Sequence, residues 1–287
     1  MKRLIISIVP VLAGLVIAVL FLAISANVSV QSVQGESSSN LWSSQPTPSP
    51  TPRRPLPKPV AGARGFDQYA KRDASARLIA AAGTRVIIDP GDFYAKGEAN
   101  YKAGKYEEAV KDLTQAVKLS PDWDDLHYVL ALSLTELGRL KEAIEEFKQV
   151  VKTAIKDEPK ILAYYNMGNA YADLGQYKEA IEAYQKAIQI NARSADPQKL
   201  SKPHNNLALA YAASGQLTEA VAEFNQAVQI RPEYAEAHYN LGVAYLELGR
   251  THEAEEQQRI LVKLNPELAN KLEEVTMAKY GRKSGSS

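Results

Sequence analysis

Residues 161–194 read ILAYYNMGNAYADLGQYKEAIEAYQKAIQINARS, and this stretch decides the fold. Tyr164, Gly168 and Tyr171 are spaced by four and three residues, which places them on one face of a helix. After Gly175 a second apolar stripe follows with the same helical spacing. The stretch therefore predicts two amphipathic helices joined by a tight turn, with Gly175 in the left-handed conformation that often ends a helix.

The same pattern occurs five times along the chain. In each unit the first helix carries a glycine or alanine, a glycine follows seven residues later, and an alanine follows twelve residues after the first small residue. One helical hairpin cannot bury both of its apolar stripes, whereas stacked hairpins bury a continuous core. The pattern predicts a right-handed superhelical solenoid of five units, namely 90–123, 124–157, 161–194, 201–234 and 235–268.

These units resemble the tetratricopeptide repeat (TPR) family, whose 34-residue pattern they match over 90–268. The resemblance implies an all-α solenoid of helix-turn-helix repeats that binds protein segments in a concave groove lined by the first helices. Inserts at 158–160 and 195–200 are expected to lengthen two turns between units. Lys96 stands where a large apolar residue is expected, so the first unit is predicted to pack loosely. Residues 267–280 predict a final helix that caps the open end.

The N-terminus predicts a membrane anchor. Residues 4–24 contain no charge and would span about 30 Å as a helix, the thickness of a bilayer core. Lys2 and Arg3 precede this stretch, which favours repeats on the non-cytoplasmic side. Because Ala23 and Ser25 offer a cleavage site, a removed signal peptide and a secreted protein is the alternative. The architecture is typical of a bacterial inner-membrane protein with a periplasmic domain.

Between the anchor and the repeats the chain is rich in proline. Seven prolines between residues 46 and 59 predict an extended polyproline II spacer, and PRRPLP at 52–57 is alternatively a ligand for an SH3-like groove. The segment before the repeats predicts an amphipathic helix that ends near Gly83, followed by a short extended run. The predicted organisation is a 1–26 transmembrane signal-anchor, a 27–62 Pro/Ser-rich disordered linker, a 63–89 N-terminal capping segment, the 90–268 TPR domain, and a 269–287 capping helix and disordered tail.

Composition excludes several classes of function. The chain has no cysteine, so disulfide frameworks, cysteine zinc sites and cysteine nucleophiles are ruled out. The net charge is +1, but it divides into +6 for residues 1–89 and −5 for residues 90–287. Because nucleic-acid binding needs a clustered positive surplus, we do not expect it of the repeats.

The sixth position of the last three units carries an asparagine: Asn166, Asn206 and Asn240. An amide offers a donor and an acceptor, so a row of amides can pair with the backbone of an extended peptide. The alternative is that asparagine is simply common at this position of the repeat. Neighbouring positions add candidate peptide contacts in the groove: Tyr128, Tyr165, Tyr239, Asn169 and Lys202.

One form of peptide recognition is not expected. The co-chaperone subset of the family binds a C-terminal carboxylate through lysines, an arginine and asparagines at set positions of the repeat. In this sequence Tyr165 or Tyr128 stands at the corresponding lysine position, depending on the frame chosen.

The histidines do not predict a metal site. His127, His204 and His238 occupy the same fourth position of their units, which is typical of a repeated packing feature rather than of a ligand set. The sequence contains neither G-x-S-x-G nor H-E-x-x-H. We therefore expect no catalytic site, no metal and no cofactor.

Together these features predict a non-catalytic scaffold that captures a protein or peptide partner in its groove and is tethered to the membrane. The alternative is an envelope assembly or export factor that acts through its convex surface and self-association. Substitutions in the groove distinguish the two, because they leave the second activity intact.

Overall fold

A computed structural model describes the repeat region and a short segment before it. The predicted anchor at 4–24 and the proline-rich linker at 27–62 lie outside the described residues. Within the described part of the chain, no helix is both long enough and apolar enough to cross a membrane. The described residues are 79–81, 84–86, 89–192 and 197–281.

The first described elements are two short strands, β1 (Ile79–Ala81) and β2 (Thr84–Val86). They pair antiparallel, with Ala81 opposite Thr84. The predicted helix is therefore wrong over 79–81, and the described fold is helical except for this hairpin. A link of two residues that includes Gly83 favours a hairpin over a continuing helix, because glycine is a preferred residue of such links. The part of the helix predicted before Ile79 lies outside the described residues.

The remaining described residues form eleven α-helices and one short 3-10 helix, Pro197–Leu200. The helices are α1 (Pro90–Lys102), α2 (Tyr106–Leu119), α3 (Asp124–Glu136), α4 (Leu140–Thr153), α5 (Asp157–Asp173), α6 (Tyr177–Asn191), α7 (Ser201–Ala213), α8 (Leu217–Ile230), α9 (Ala235–Glu247), α10 (Thr251–Leu264) and α11 (Pro266–Tyr280).

Consecutive helices pair into five hairpins, and each hairpin packs on the next. The turn inside the third hairpin is made by Gly175, whose φ of 71° is the left-handed conformation expected of it. Its neighbour Gln176 donates its backbone N–H to the carbonyl of Tyr171 at 2.8 Å, which closes the end of α5. The equivalent glycines of the other hairpins also have positive φ: Gly104, Gly138, Gly215 and Gly249.

The core inside each hairpin is made by a small residue that faces a large one. In the third unit a Cβ on Gly168 would lie 2.5 Å from Cε1 of Tyr184, so the two helices approach each other as closely as a glycine allows. In the second unit the same positions hold Ala131 and Phe147, both fully buried. The small residues therefore set the spacing between the helices of each hairpin.

The first unit buries least. In α1 only Gly97 is buried, and Lys96 is exposed, in agreement with the apolar residue missing from that position. Phe93, Tyr94 and Tyr101 are half-buried and complete the contact with the second unit.

Only the first of the two inserts behaves differently from the prediction. Residues 158–160 do not lengthen a turn, because they lie inside α5, which has 17 residues where the other first helices have 13. Pro159 falls in the first turn of α5, where a missing N–H costs no helical hydrogen bond. At the second insert, the 3-10 helix Pro197–Leu200 leads directly into α7, and residues 193–196 lie outside the described residues.

The last described helix, α11, packs against α9 and α10 in the place of a next first helix. Leu272 is fully buried there and reaches within 2.5 Å of where a Cβ on Gly242 would lie. Tyr280 donates its hydroxyl to the carbonyl oxygen of Leu246 at 2.6 Å. The helix predicted over 267–280 therefore covers the last hairpin, with Leu268 and Val275 half-buried on the same side.

Candidate binding surface

The predicted groove residues lie on the first helices of successive hairpins. Each of α1, α3, α5 and α7 contacts the next first helix along the chain, so together with α9 they form one continuous face, here called the first-helix surface. Of the predicted residues, Asn169, Asn206 and Asn240 are buried. The others are half-buried: Tyr128, Tyr165, Asn166, Lys202 and Tyr239.

The amide of Asn206 is engaged within the protein. Its Nδ2 donates to the hydroxyl of Tyr165 and to Oδ1 of Asn169, both at 3.0 Å and both on α5. Oδ1 of Asn169 also accepts a hydrogen bond of 2.7 Å from the hydroxyl of Tyr184. Both amide hydrogens of Asn206 are therefore used, and its side chain is only 3% exposed.

The other two asparagines make the same kind of contact. Nδ2 of Asn166 donates to the carbonyl of Leu162 at 2.9 Å and to the hydroxyl of Tyr128 at 3.3 Å. Nδ2 of Asn240 donates to Oδ1 of Asn205 on α7 at 3.2 Å. Each asparagine of the row thus reaches back to the unit before it, and the row connects successive units.

Sequence reasoning placed these asparagines together but did not foresee this network. A signal for it exists in two of the three cases. Asn166 follows Tyr128 by 38 residues and Asn206 follows Tyr165 by 41, so each asparagine is paired with the tyrosine at the fifth position of the previous unit. An asparagine at the sixth position of one repeat and a tyrosine at the fifth position of the repeat before it therefore predict a hydrogen bond between the two units.

The phenols of this surface remain neutral. Burial raises the pKa of Tyr165 well above its ordinary value, and the nearby Tyr234 adds to the effect. Burial likewise raises the pKa of Tyr94, with the charges of Asp125 and Glu98 adding to it. A neutral phenol keeps its proton, so each can act as a hydrogen-bond donor at physiological pH.

Two aromatic residues at the start of the surface were not predicted as site residues. The ring of Tyr94 lies 5.0 Å from the ring of Trp123, measured between centroids. Burial, followed by the charge of Asp124, raises the pKa of the adjacent Asp125. This end of the first-helix surface is therefore aromatic and acidic.

Each of the three repeated histidines contacts a side chain on the second helix of its own hairpin. Nδ1 of His127 lies 2.6 Å from Oε2 of Glu146, and Nδ1 of His204 lies 2.6 Å from Oε2 of Glu223. His238 instead contacts Oε1 of Gln257 at 2.7 Å. In each case the partner stands 19 residues later on the second helix. In the part of the chain that the structure describes, no three His, Asp or Glu side chains are grouped to hold a metal ion.

His127 is engaged through both ring nitrogens. Its Nε2 lies 2.7 Å from the carbonyl oxygen of Pro121, while Nδ1 faces the carboxylate of Glu146. Burial lowers the pKa of His127, but the hydrogen bonds to Glu146 and Pro121 outweigh burial, and the pKa lies above its ordinary value. The imidazolium form satisfies both acceptors, since it donates from both nitrogens.

The stacked hairpins define a helical-repeat protein, and comparison with known families gives the same class. Residues 208–249 match a family described as "TPR repeat". Three further stretches match families described as "Tetratricopeptide repeat": 94–159, 161–193 and 235–268. Together the matches cover more than half of the 287 residues, and the chain belongs to the tetratricopeptide repeat family.

Solved structures show the same fold. A crystal structure of MamA is 24% identical over 64% of this chain and 97% of its own, with a TM-score of 0.52. The 41-end form of MamA from Desulfovibrio magneticus RS-1 is 23% identical, covers 63% of this chain and 98% of its own, and has a TM-score of 0.55. YrrB, "a TPR protein with an unusual peptide-binding site", is 19% identical over 74% of this chain and 100% of its own, with a TM-score of 0.55. A search of curated proteins gave no match.

Proposed function

We propose that this chain is a membrane-tethered scaffold that captures an extended protein segment on its first-helix surface. The repeats and their structural relatives support a protein–protein interaction scaffold as the general function. YrrB is described by its peptide-binding site, and its fold is similar to this one. We add three points to this general function. The captured segment is extended, named side chains of the first-helix surface contact it, and a tether holds the repeats at a membrane.

One observation carries the choice of surface: the half-buried tyrosines of the first helices are held in place from within. The hydroxyl of Tyr128 accepts a hydrogen bond from Asn166, and that of Tyr165 accepts one from Asn206. A side chain that is fixed before binding loses little freedom when a partner arrives, and tyrosine offers a large contact area. Tyr128 and Tyr165 are therefore proposed as the peptide contacts, together with the half-buried Tyr239 and Lys202 on the same surface.

The asparagines have a different part in this proposal from the one their sequence pattern suggests. Because the amide hydrogens of Asn166 and Asn206 are already used, these residues position tyrosines, and Asn169 supports them through Asn206. Among the described residues, the amide of Asn240 makes one hydrogen bond, to Asn205, and its second amide hydrogen is proposed to bind a partner backbone.

The experiment is affinity selection of a random dodecapeptide pool by the full chain, read by mass spectrometry. The test variant replaces Tyr128, Tyr165 and Tyr239 with alanine, and the matched control replaces the exposed Tyr280 of α11 with alanine. Peptides selected by the wild type and the control but lost by the triple variant support the proposal. Equal selection by all three moves the site away from the first-helix surface.

The tether rests on sequence. An uncharged stretch at 4–24 followed by a proline-rich spacer would hold the repeats near a membrane and raise the local concentration of a captured partner. With the repeats on the non-cytoplasmic side, protease added outside the bacterial inner membrane should digest them. Protection of the repeats would show that they lie on the cytoplasmic side. Release of the chain by carbonate washing would show that it is not anchored in the membrane.

The alternative, an assembly factor that acts through its convex surface and self-association, has one observation in its favour. On α10 three large apolar side chains remain exposed: Ile260, Val262 and Leu264. Their replacement with glutamate should convert an oligomer into a monomer if this alternative holds. Sedimentation velocity gives the answer, since a wild type that is already monomeric at micromolar concentration contradicts it.

A further inference from the structure

We propose that Arg231 anchors a carboxylate of the captured segment, at the point where α8 ends and α9 begins. The inference rests on the proposed function and adds the chemistry of the partner to it: an acidic residue or a free carboxyl terminus. Four observations carry it, namely the position of Arg231 in the repeat, its missing carboxylate partner, its place near Tyr165, and the geometry of a guanidinium.

Arg231 departs from the repeat pattern. It is the thirty-first residue of its unit and directly precedes Pro232, as Ser120 precedes Pro121 in the first unit. At this position every other unit has a small or amide side chain: Ser120, Ala154, Asn191 and Asn265. The junction between units therefore does not require a cation.

The charge of Arg231 has no carboxylate partner in the described part of the chain. The Nε atom is buried and makes no hydrogen bond, and no carboxylate of the described residues forms an ion pair with the guanidinium. The guanidinium carbon instead lies 3.9 Å from the centroid of the Tyr234 ring. Burial raises the pKa of Tyr234, while the charge of Arg231 and a side-chain hydrogen bond with Arg231 act in the opposite direction. A half-buried cation loses part of its favourable hydration, and without a counter-charge nothing offsets that loss. An anion that binds beside it can offset this cost.

Arg250 shows what a satisfied arginine looks like in the same fold. Its guanidinium carbon also lies over a tyrosine ring, 4.5 Å from the centroid of Tyr245. Its Nε, however, donates to Oε1 of Glu253 at 2.8 Å. The two arginines share the aromatic contact and differ in the carboxylate, so Arg250 is the matched control for Arg231.

Arg231 lies near Tyr165, one of the tyrosines proposed to bind the segment. Tyr234, under its guanidinium, is close enough to Tyr165 to contribute to the raised pKa of that phenol, after burial. Lys202, in the same unit, is also half-buried and has no ion pair among the described residues. Arg231 and Lys202 are thus two cations of this part of the chain, and the charge of Glu236 also adds to the raised pKa of Tyr234, after burial.

A carboxylate fits this site better than a neutral group. A guanidinium presents its N–H donors in a planar fork that a carboxylate can accept with two oxygens. The contact differs from the co-chaperone pattern, which has a lysine where this chain has Tyr165 or Tyr128, depending on the frame chosen. Here the cation comes from the junction between two units.

The test selects two pools of random dodecapeptides with the full chain, one pool with free carboxyl termini and one with amidated termini. Enrichment of Asp or Glu in both pools supports a side-chain carboxylate at Arg231. Selection from the free pool alone supports the terminal carboxylate. Peptides without either preference overturn the anchor but leave the proposed function standing, whereas no selected peptide at all overturns both.

The best acidic peptide is then titrated against variants by fluorescence anisotropy. Arg231→Gln should weaken binding by about 10- to 100-fold, Arg231→Lys should fall between it and the wild type, and Arg250→Gln should leave binding unchanged. A peptide with the acidic group neutralised should lose affinity for the wild type but not for Arg231→Gln. Equal losses on both proteins would contradict the anchor even if Arg231→Gln were less stable.

Discussion

Asn206 and Tyr165 stand 41 residues apart in sequence and are joined by a 3.0 Å hydrogen bond from the amide nitrogen to the phenol oxygen. The bond crosses from α7 to α5, so it connects two repeats rather than the two helices of one hairpin. In a solenoid the contacts between neighbouring units hold the array together. This bond therefore acts on the junction between the third and fourth units.

Replacing Asn206 with alanine should lower the free energy of unfolding by about 1–3 kcal/mol, because a buried network loses two hydrogen bonds. Asn270→Ala, at an exposed position of α11, is the matched control and should change stability by less than about 0.5 kcal/mol. Urea unfolding followed by circular dichroism measures both. Equal effects of the two substitutions would show that the network contributes nothing to the junction.

Gly168→Ala should destabilise the chain by about 1–3 kcal/mol, because the new Cβ would lie 2.5 Å from the ring of Tyr184. Tyr184 cannot easily retreat, since its hydroxyl is bonded to Asn169. Adding Tyr184→Phe should recover part of the loss, because other units combine alanine and phenylalanine at these positions. A double-mutant cycle by urea unfolding measures the coupling, and strictly additive costs would contradict it.

The pair formed by His127 and Glu146 should make stability depend on pH. The pKa of His127 is raised in the folded protein, so the stabilisation is fully present below the unfolded value of about 6.5 and is lost as the pH rises through the folded value. Glu146→Gln should flatten this decline, because the charged partner is gone. The free energy of unfolding, measured between about pH 5.5 and pH 9, tests this.

The control for that measurement is His252, whose side chain is 76% exposed. His252→Gln should leave the pH dependence as it is in the wild type. If Glu146→Gln and the wild type lose stability in parallel above pH 6.5, the pair of His127 and Glu146 is not the source of the pH dependence.

Leu272→Ala should cost about 2–5 kcal/mol, because the side chain is fully buried between α11 and the last hairpin. The damage should be local, since each unit contacts only its neighbours. Hydrogen exchange should therefore accelerate in α9, α10 and α11 and stay unchanged in α1 to α4. Met277→Ala, on the exposed side of α11, is the control, and uniform acceleration along the chain would be the contrary result.

The repeat register could be predicted from the sequence because it depends on spacing alone. The left-handed conformation of Gly175 and the close approach at Gly168 follow from residues that no other type replaces without strain or overlap. Such positions carry their structural requirement in the residue itself. The helix prediction was wrong over 79–81 because the apolar residues there also suit short paired strands, and a period over few residues does not distinguish the two.

The behaviour of the asparagine row could not be predicted in the same way. Its residues were found, but whether an amide faces a partner or a neighbouring unit depends on how far each unit rotates relative to the last. That rotation brings Tyr165 within reach of Asn206, and no local pattern encodes it. Arg231 was missed for the opposite reason, because it is a departure from the pattern and a search for regularity passes over it.

Helix α11 covers the last hairpin of the described fold, and it joins that hairpin in the same way as one repeat joins the next. Pro266, at its start, occupies the same place in its unit as Pro121 and Pro232 do at internal junctions. The last hairpin therefore receives its cover through an ordinary junction rather than through a special terminus. A duplicated unit inserted after Tyr234 would pack on both sides against the same kinds of helix surface that neighbouring units already bury. The array can therefore gain one hairpin at a time while its first unit and α11 stay unchanged.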